Sequence, residues 1–227
     1  MKILIVAAHP DDEVLGCGAT AARLARQGYA IHIAILGEGI TSRARTAEAA
    51  DRAQVADLHD RARRAAALLG AQDVVLHNLP DNRFDSIPLL EVVKTVEDLI
   101  GRVQPEVVYT HHGGDLNVDH QVTHRAVLTA TRPTAGQPVR ALYAFEAASS
   151  TEWAFQRFDP VFRPNWFVEV EATLEVKLAA MALYESEARP FPHPRSSQAL
   201  TAMAMRWGSV AGCRAAEAFE LIRGICV

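Results

Sequence analysis

Cysteine is scarce in this chain: Cys17, Cys213 and Cys226 are the three among 227 residues. Their spacing matches no metal site, and an odd count leaves no disulfide framework, which fits a reducing compartment. Long apolar runs are missing as well. None approaches the roughly 18 residues that cross a bilayer, so no membrane span is expected. The first apolar run is too short, and turns polar too soon, for a secretory signal, which makes the cytoplasm the expected location. There is no excess of positive charge: 23 Lys and Arg face 27 Asp and Glu, and the net charge of −4 argues against a nucleic-acid partner. No glycine-rich dinucleotide fingerprint follows the first strand, since Gly16-Cys17-Gly18 falls inside a helix, and a nicotinamide cofactor is disfavoured.

What the chain does have is a regular alternation. Residues 3–8, 29–36, 74–77 and 106–110 are apolar runs of strand length, each followed by a polar loop and then a helical pattern. The helices read as 13–27, 46–69, 87–103 and about 120–131, with Gly28 and Gly70 as stops and Pro105 ending the third. Four such units predict an α/β, Rossmann-like three-layer fold, a mostly parallel sheet with helices on both faces. Further on, 141–146 and 166–170 read as strands, 172–186 and 198–211 as helices, and 216–225 as a short closing segment. The proline-dense stretch 188–197 reads as an irregular loop. The length suits one core, and a single domain over 1–227 is expected.

In a parallel sheet the strand exits open on one edge, where ligands bind. Loops 9–13, 37–45, 79–86 and 111–120 therefore converge, with 188–197 as a further wall. Two are rich in ligating groups. His9-Pro10-Asp11-Asp12-Glu13 puts an imidazole and three carboxylates where a strand meets a helix, although one Asp would suffice as a cap. The other runs from His111-His112 to Asp119-His120 and on to His124. His9, Asp12 and His120 make a set of two imidazoles and one carboxylate with open positions, the composition of a catalytic zinc site; ferrous iron accepts the same donors. Zinc lowers the pKa of bound water to roughly 7, and Asp11, left uncommitted, can act on that water as general base. Asp119 can orient a ligand imidazole. Spacing alone leaves a rival set open, His120 with His124 and a distant carboxylate, which gives the His9–Asp12 cluster no role. His111 and His112 read either as pocket lining or as structurally satisfied histidines.

The run Ala7-Ala8-His9-Pro10-Asp11-Asp12-Glu13 with Leu15-Gly16-Cys17-Gly18, together with Asp115-Leu116-Asn117-Val118-Asp119-His120, resembles the PIG-L/LmbE-like zinc deacetylase superfamily, clearly so from Met1 to about Arg132. Residues 149–153 and 193–196 resemble a branch associated with carbohydrate biosynthesis. The resemblance implies removal of an N-acetyl group from an N-acetylglucosamine-type amino sugar or its conjugate. It carries metal binding to His9, Asp12 and His120 and the base to Asp11, and it leaves His124 in a supporting role. Many relatives have a histidine three residues before the last ligand. Asn117 stands there in this chain; it can hydrogen-bond an oxyanion but cannot protonate a leaving amine. Some relatives supply a histidine from a C-terminal loop, and His193 is the candidate. Arg43, Asp81 and Arg195 have the chemistry to contact a hydroxyl-rich ligand. Trimers or hexamers are expected by analogy. Three alternatives stand beside this reading. One is a zinc amidohydrolase for another N-acyl substrate, such as a thiol conjugate or antibiotic sugar. Another is a non-catalytic metal-holding sugar-binding protein, against which the intact Asp11 argues. The last is a non-haem iron oxygenase, a class usually built on all-β barrels.

Overall fold

The structure, a computed structural model, describes residues 1–41 and 52–226; Arg43 and the start of the expected helix 46–69 lie outside them. The elements run β1 (Lys2–Ala7), α1 (Asp12–Arg26), β2 (Ala30–Gly37), α2 (Arg52–Leu68), β3 (Asp73–Leu79), α3 (Leu89–Val103), β4 (Val107–His111), α4 (Val118–Ala130), β5 (Ala141–Phe145), β6 (Trp166–Glu169), α5 (Leu174–Leu183), α6 (Ser197–Ala211) and β7 (Ala216–Gly224). They form a seven-stranded sheet in the order β3-β2-β1-β4-β5-β7-β6. The first five strands pair in parallel, and β7 runs antiparallel between β5 and β6. The expected short closing segment is thus a nine-residue strand that separates β5 from β6.

Strand periodicity explains the layering. Ile3, Ile5 and Ala7 face one side with α1, α2 and α5, while Leu4, Val6 and Ala8 face the other with α3 and α4. A strand covered on both faces has no place for a polar residue, hence the unbroken apolar run of β1. Each buried aliphatic side chain contributes about 1.5–3 kcal/mol.

Winding runs outward from β1 through β2 to β3, then returns to β4 on β1's other side. That reversal brings the exits of β1 and β4 together and opens the crevice in which α/β sheets bind ligands. Helix α1, which leaves β1, is broken at Cys17 (φ −149°). Lys177 on α5 bridges the break, donating to Leu15 O at 2.7 Å and to Glu217 Oε1 at 2.6 Å. Glu217 in turn accepts the N–H groups of Ala19 and Thr20. The freed backbone groups are thereby satisfied, as a buried kink requires.

Candidate metal centre and active-site cavity

Asp11 and Asp12 sit at the start of α1, yet neither behaves as a simple cap. Asp11 occupies the N-cap position with φ 108° and makes no side-chain capping bond. Asp12 turns back, its Oδ2 accepting the N–H of His9 at 2.8 Å. The same oxygen lies 3.3 Å from His9 Nδ1 and 3.2 Å from His120 Nε2. Four bonds of about 2.0–2.2 Å in a tetrahedron put neighbouring donor atoms about 3.3–3.6 Å apart. Both contacts of Asp12 Oδ2 lie close to that spacing, and the ligand atoms of His9, Asp12 and His120 all lie within 4.8 Å of one another, so the three can hold one metal ion with positions left for water and substrate.

Carboxylates fix which nitrogen of each ring faces that point. His9 Nε2 donates to Asp119 Oδ2 at 2.8 Å. Asp119 also accepts the N–H groups of Asn82 (2.6 Å) and Phe84 (2.9 Å). Its oxygens are spent on that loop and on His9, so the second cluster among the described residues, His9 with Asp81 and Asp119, orients a ligand ring rather than holding an ion. The sequence placed Asp119 next to His120, but the ring it holds is that of His9. His120 is backed instead by Asp115, whose Oδ1 lies 3.2 Å from its Nδ1. Ser150 Oγ, Thr151 Oγ1 and the N–H of Asn117 all donate to Asp115. Carboxylate-backed imidazoles of this kind are the usual outer support of a metal site.

The charge balance also points to a cation. Asp11, Asp12, Asp81, Asp115 and Asp119 are all buried here. Burial opposes charge on His120, but Asp12 and Asp115 outweigh it and raise its pKa to about 9. Burial likewise opposes charge on His9, yet the bonds to Asp119 and Asp12 hold it well above the ordinary value. Asp12 is desolvated but kept well below the usual carboxylate range by His120 and His111. Asp115, also desolvated, is drawn down to about 2 by His120 and its hydroxyl donors. The pocket demands positive charge, and a metal ion supplies it as protons would.

Three further histidines stand on β4, its exit and α4. His111 Nε2 accepts the N–H of Ala8 at 2.9 Å, so its lone pair is used, and its ring stacks on His120 at 3.8 Å. His124 Nδ1 donates to His111 O at 2.8 Å and props the β4 exit, away from the rival ligand role. His112 bridges Glu220 and Pro160.

Around the cluster lies a cavity of about 190 Å³, walled by residues that include Asp11, Asp81, Asn82, Asn117, Ser149 and Arg195. Arg195 reaches it from the proline-rich loop, its Nη1 donating to Asp11 Oδ2 at 2.8 Å and to Glu187 at 3.1 Å. Burial pushes the Asp11 carboxyl well above its usual range, and Arg195 opposes that rise. Glu13 braces the turn: its Oε2 accepts the N–H of Asp11 and its Oε1 the hydroxyl of Tyr184. Asn117 is on the wall but caps α4, Oδ1 accepting from the N–H of Asp119 while Nδ2 donates to Asn82. His193 is not brought to this cavity. Its Nδ1 accepts the N–H of Arg195, and its ring meets Trp153 edge-on at 5.4 Å. The tight turn from Pro190 to Ser196 sends Arg195 inward in its place.

Residues 4–131 match the family described as PIG-L, GlcNAc-PI de-N-acetylase. The chain is 31% identical over 190 residues to an uncharacterized deacetylase, YaiS, of Escherichia coli (strain K12), covering 81% of this chain and 90% of that protein. Among solved structures it is similar to the N,N'-diacetylchitobiose deacetylase of Pyrococcus horikoshii (TM-score 0.76, 21% identity, 98% of this chain and 84% of that one). It is also similar to GalB, the 4-carboxy-2-hydroxymuconate hydratase of Pseudomonas putida KT2440 (TM-score 0.78, 24% identity, 100% and 98%). A deacetylase and a hydratase on one fold leave the reaction to be read from the site.

Proposed function

The chain belongs to the GlcNAc-PI de-N-acetylase (PIG-L) family, and on that premise we propose that it is a zinc-dependent hydrolase removing the N-acetyl group of an N-acetylglucosamine-type amino sugar or its conjugate. The observation that carries this reading is the convergence of the ligand atoms of His9, Asp12 and His120 within 4.8 Å of one another, with Asp11 lining the same cavity.

His9, Asp12 and His120 would hold the ion; when bound, it polarises the amide carbonyl and makes a water molecule acidic enough to attack at neutral pH. Asp11 takes the proton from that water as the new C–O bond forms. Arg195 and the N–H bond to Glu13 hold Asp11 in an unfavourable backbone conformation, which aims the carboxylate before substrate arrives. The proton then passes from Asp11 to the amine nitrogen as the C–N bond breaks, leaving acetate and the free amino sugar. With His193 outside the cavity, one carboxylate serves both transfers. Asn117 has one amide hydrogen beyond the one given to Asn82, which suits a developing oxyanion or a sugar hydroxyl. Asp81 and Asn82, beside Asn117 in the lining, offer further polar contacts to sugar hydroxyls.

Replacing Asp11 by Asn keeps size and removes the base. Acetate release should fall by about 10²–10⁴-fold with metal content unchanged, measured on one preparation. Unaltered turnover in Asp11→Asn contradicts the assignment.

A further inference from the structure

A second cavity, of about 410 Å³, opens beside the first on the same sheet edge. Its floor is set by the exits of β4 and β5, with His112 and Glu146 following those strands directly. No described residue lines both cavities, but the same two loops run between them. In the turn after β5, Ser149 and Ser150 line the candidate active site, while Thr151, Glu152 and Ala154 line the neighbour. In the loop after β4, Gly114 faces the second cavity and Asn117 the first. A Cβ on Gly114 would lie 1.8 Å from Pro160 O, so only glycine lets the outer wall close against this loop, and His112 Nε2 donates to that same carbonyl at 2.7 Å.

The surface this wall presents is aromatic. Phe155, Phe158, Phe162 and Trp207 all line it, and Phe155 is 74% exposed while held in the left-handed region (φ 50°). Left-handed backbone is costly for a bulky residue and persists where surrounding structure imposes it. Exposing a large apolar ring in that conformation gains the isolated fold nothing. Two carboxylates of the lining already have partners, Glu146 accepting from Trp207 Nε1 and Glu152 from the N–H of Ser149, and Arg206 stacks 4.2 Å over Trp207. Among the described residues, the exposed ring of Phe155 has no such engagement. The first cavity, at about 190 Å³, is smaller than the roughly 300–1,000 Å³ usual for ligand sites.

Building on the deacetylase reading, we infer that the second cavity is a subsite for an apolar, ring-bearing substituent on the amino sugar, with Phe155 as its principal contact. The protein would then select a glycoside carrying such an aglycone over the free monosaccharide.

Calorimetric binding of 4-nitrophenyl 2-acetamido-2-deoxy-β-D-glucopyranoside and of N-acetylglucosamine to the zinc-loaded protein tests this, with acetate release measured in parallel. The aryl glycoside should bind about tenfold tighter or better, since burying a ring is worth at least that factor. Phe155→Ala should abolish the difference and leave the affinity for N-acetylglucosamine unchanged. Phe191→Ala, which alters an exposed ring outside both cavities, should leave both affinities unchanged. Equal affinity for the two sugars, no measurable binding of either, or an aryl advantage that survives Phe155→Ala overturns the subsite. Acetate release without an aryl preference overturns the subsite and leaves the deacetylase reading standing. A Phe155-dependent preference without acetate release supports the subsite and counts against that reading.

Discussion

Asp11 holds a backbone conformation that costs a non-glycine residue about 1–3 kcal/mol, and the residues that impose it, Glu13, Tyr184 and Arg195, come from three parts of the chain. The richness of the His9–Glu13 run was legible from residue types alone, because a cap needs one carboxylate and this run has three. How the supporting residues divide their work was not. Asp119 neighbours His120 in sequence but serves His9, because the first turn of α4 points its side chain toward the β3 exit loop. Asp119 thus orients a ligand imidazole as expected, and Asp115, five residues before His120 and given no role from the sequence, backs the other. Asp119→Asn should weaken zinc binding by about 10–100-fold, as loss of an outer partner does, read by competition with a chromophoric chelator. Arg195→Ala should lower kcat while metal content holds, since the guanidinium touches Asp11 and none of the three metal-facing atoms.

The parallel strands and the helices between them were legible because their periods are clean and both sheet faces are covered. The last third was harder for a specific reason. β7 carries Glu217 in its buried half, and the partner that makes this tolerable, Lys177, lies on α5. A local reading of 216–225 meets charge where a core strand should be apolar, and so gives the segment no place in the sheet. The pair ties β7 and α5 to the kink of α1, hence to the helix that begins at Asp12. Lys177→Met alone should cost about 3–5 kcal/mol in denaturant unfolding, because Glu217 is left charged and buried. Adding Glu217→Leu should recover part of that loss. If the single variant is as stable as the parent, the pair does not hold the kink.

At the scale of the whole molecule, the order of strands creates the site. The switch between β1 and β4 sets ligands a hundred residues apart at one crevice, a consequence of topology that the alternating pattern foreshadowed. It could not foreshadow which side chain of the 188–197 loop turns inward, since that depends on the tight turn from Pro190 to Ser196. The antiparallel side of the sheet closes the molecule around Glu220. Burial would raise its carboxyl, but the bonds from His112 and from the N–H of Arg163 outweigh this and lower it below 4.5. A carboxylate lowered on folding contributes stability above its unfolded pKa and loses it as pH falls through the folded value. Between about pH 5 and pH 3, the parent should therefore lose stability more steeply than Glu220→Gln, and parallel profiles in denaturant titrations would discount the contact. The central claim, a zinc-dependent deacetylase built on His9, Asp12 and His120, is tested most directly by acetate release over a panel of N-acetylglucosamine derivatives, before chelation, after it and after zinc is restored. The proposed site predicts release that stops on chelation, returns with zinc, and is absent with the metal in His120→Ala. Release indifferent to chelation, or none from any derivative by fully zinc-loaded protein, would contradict it.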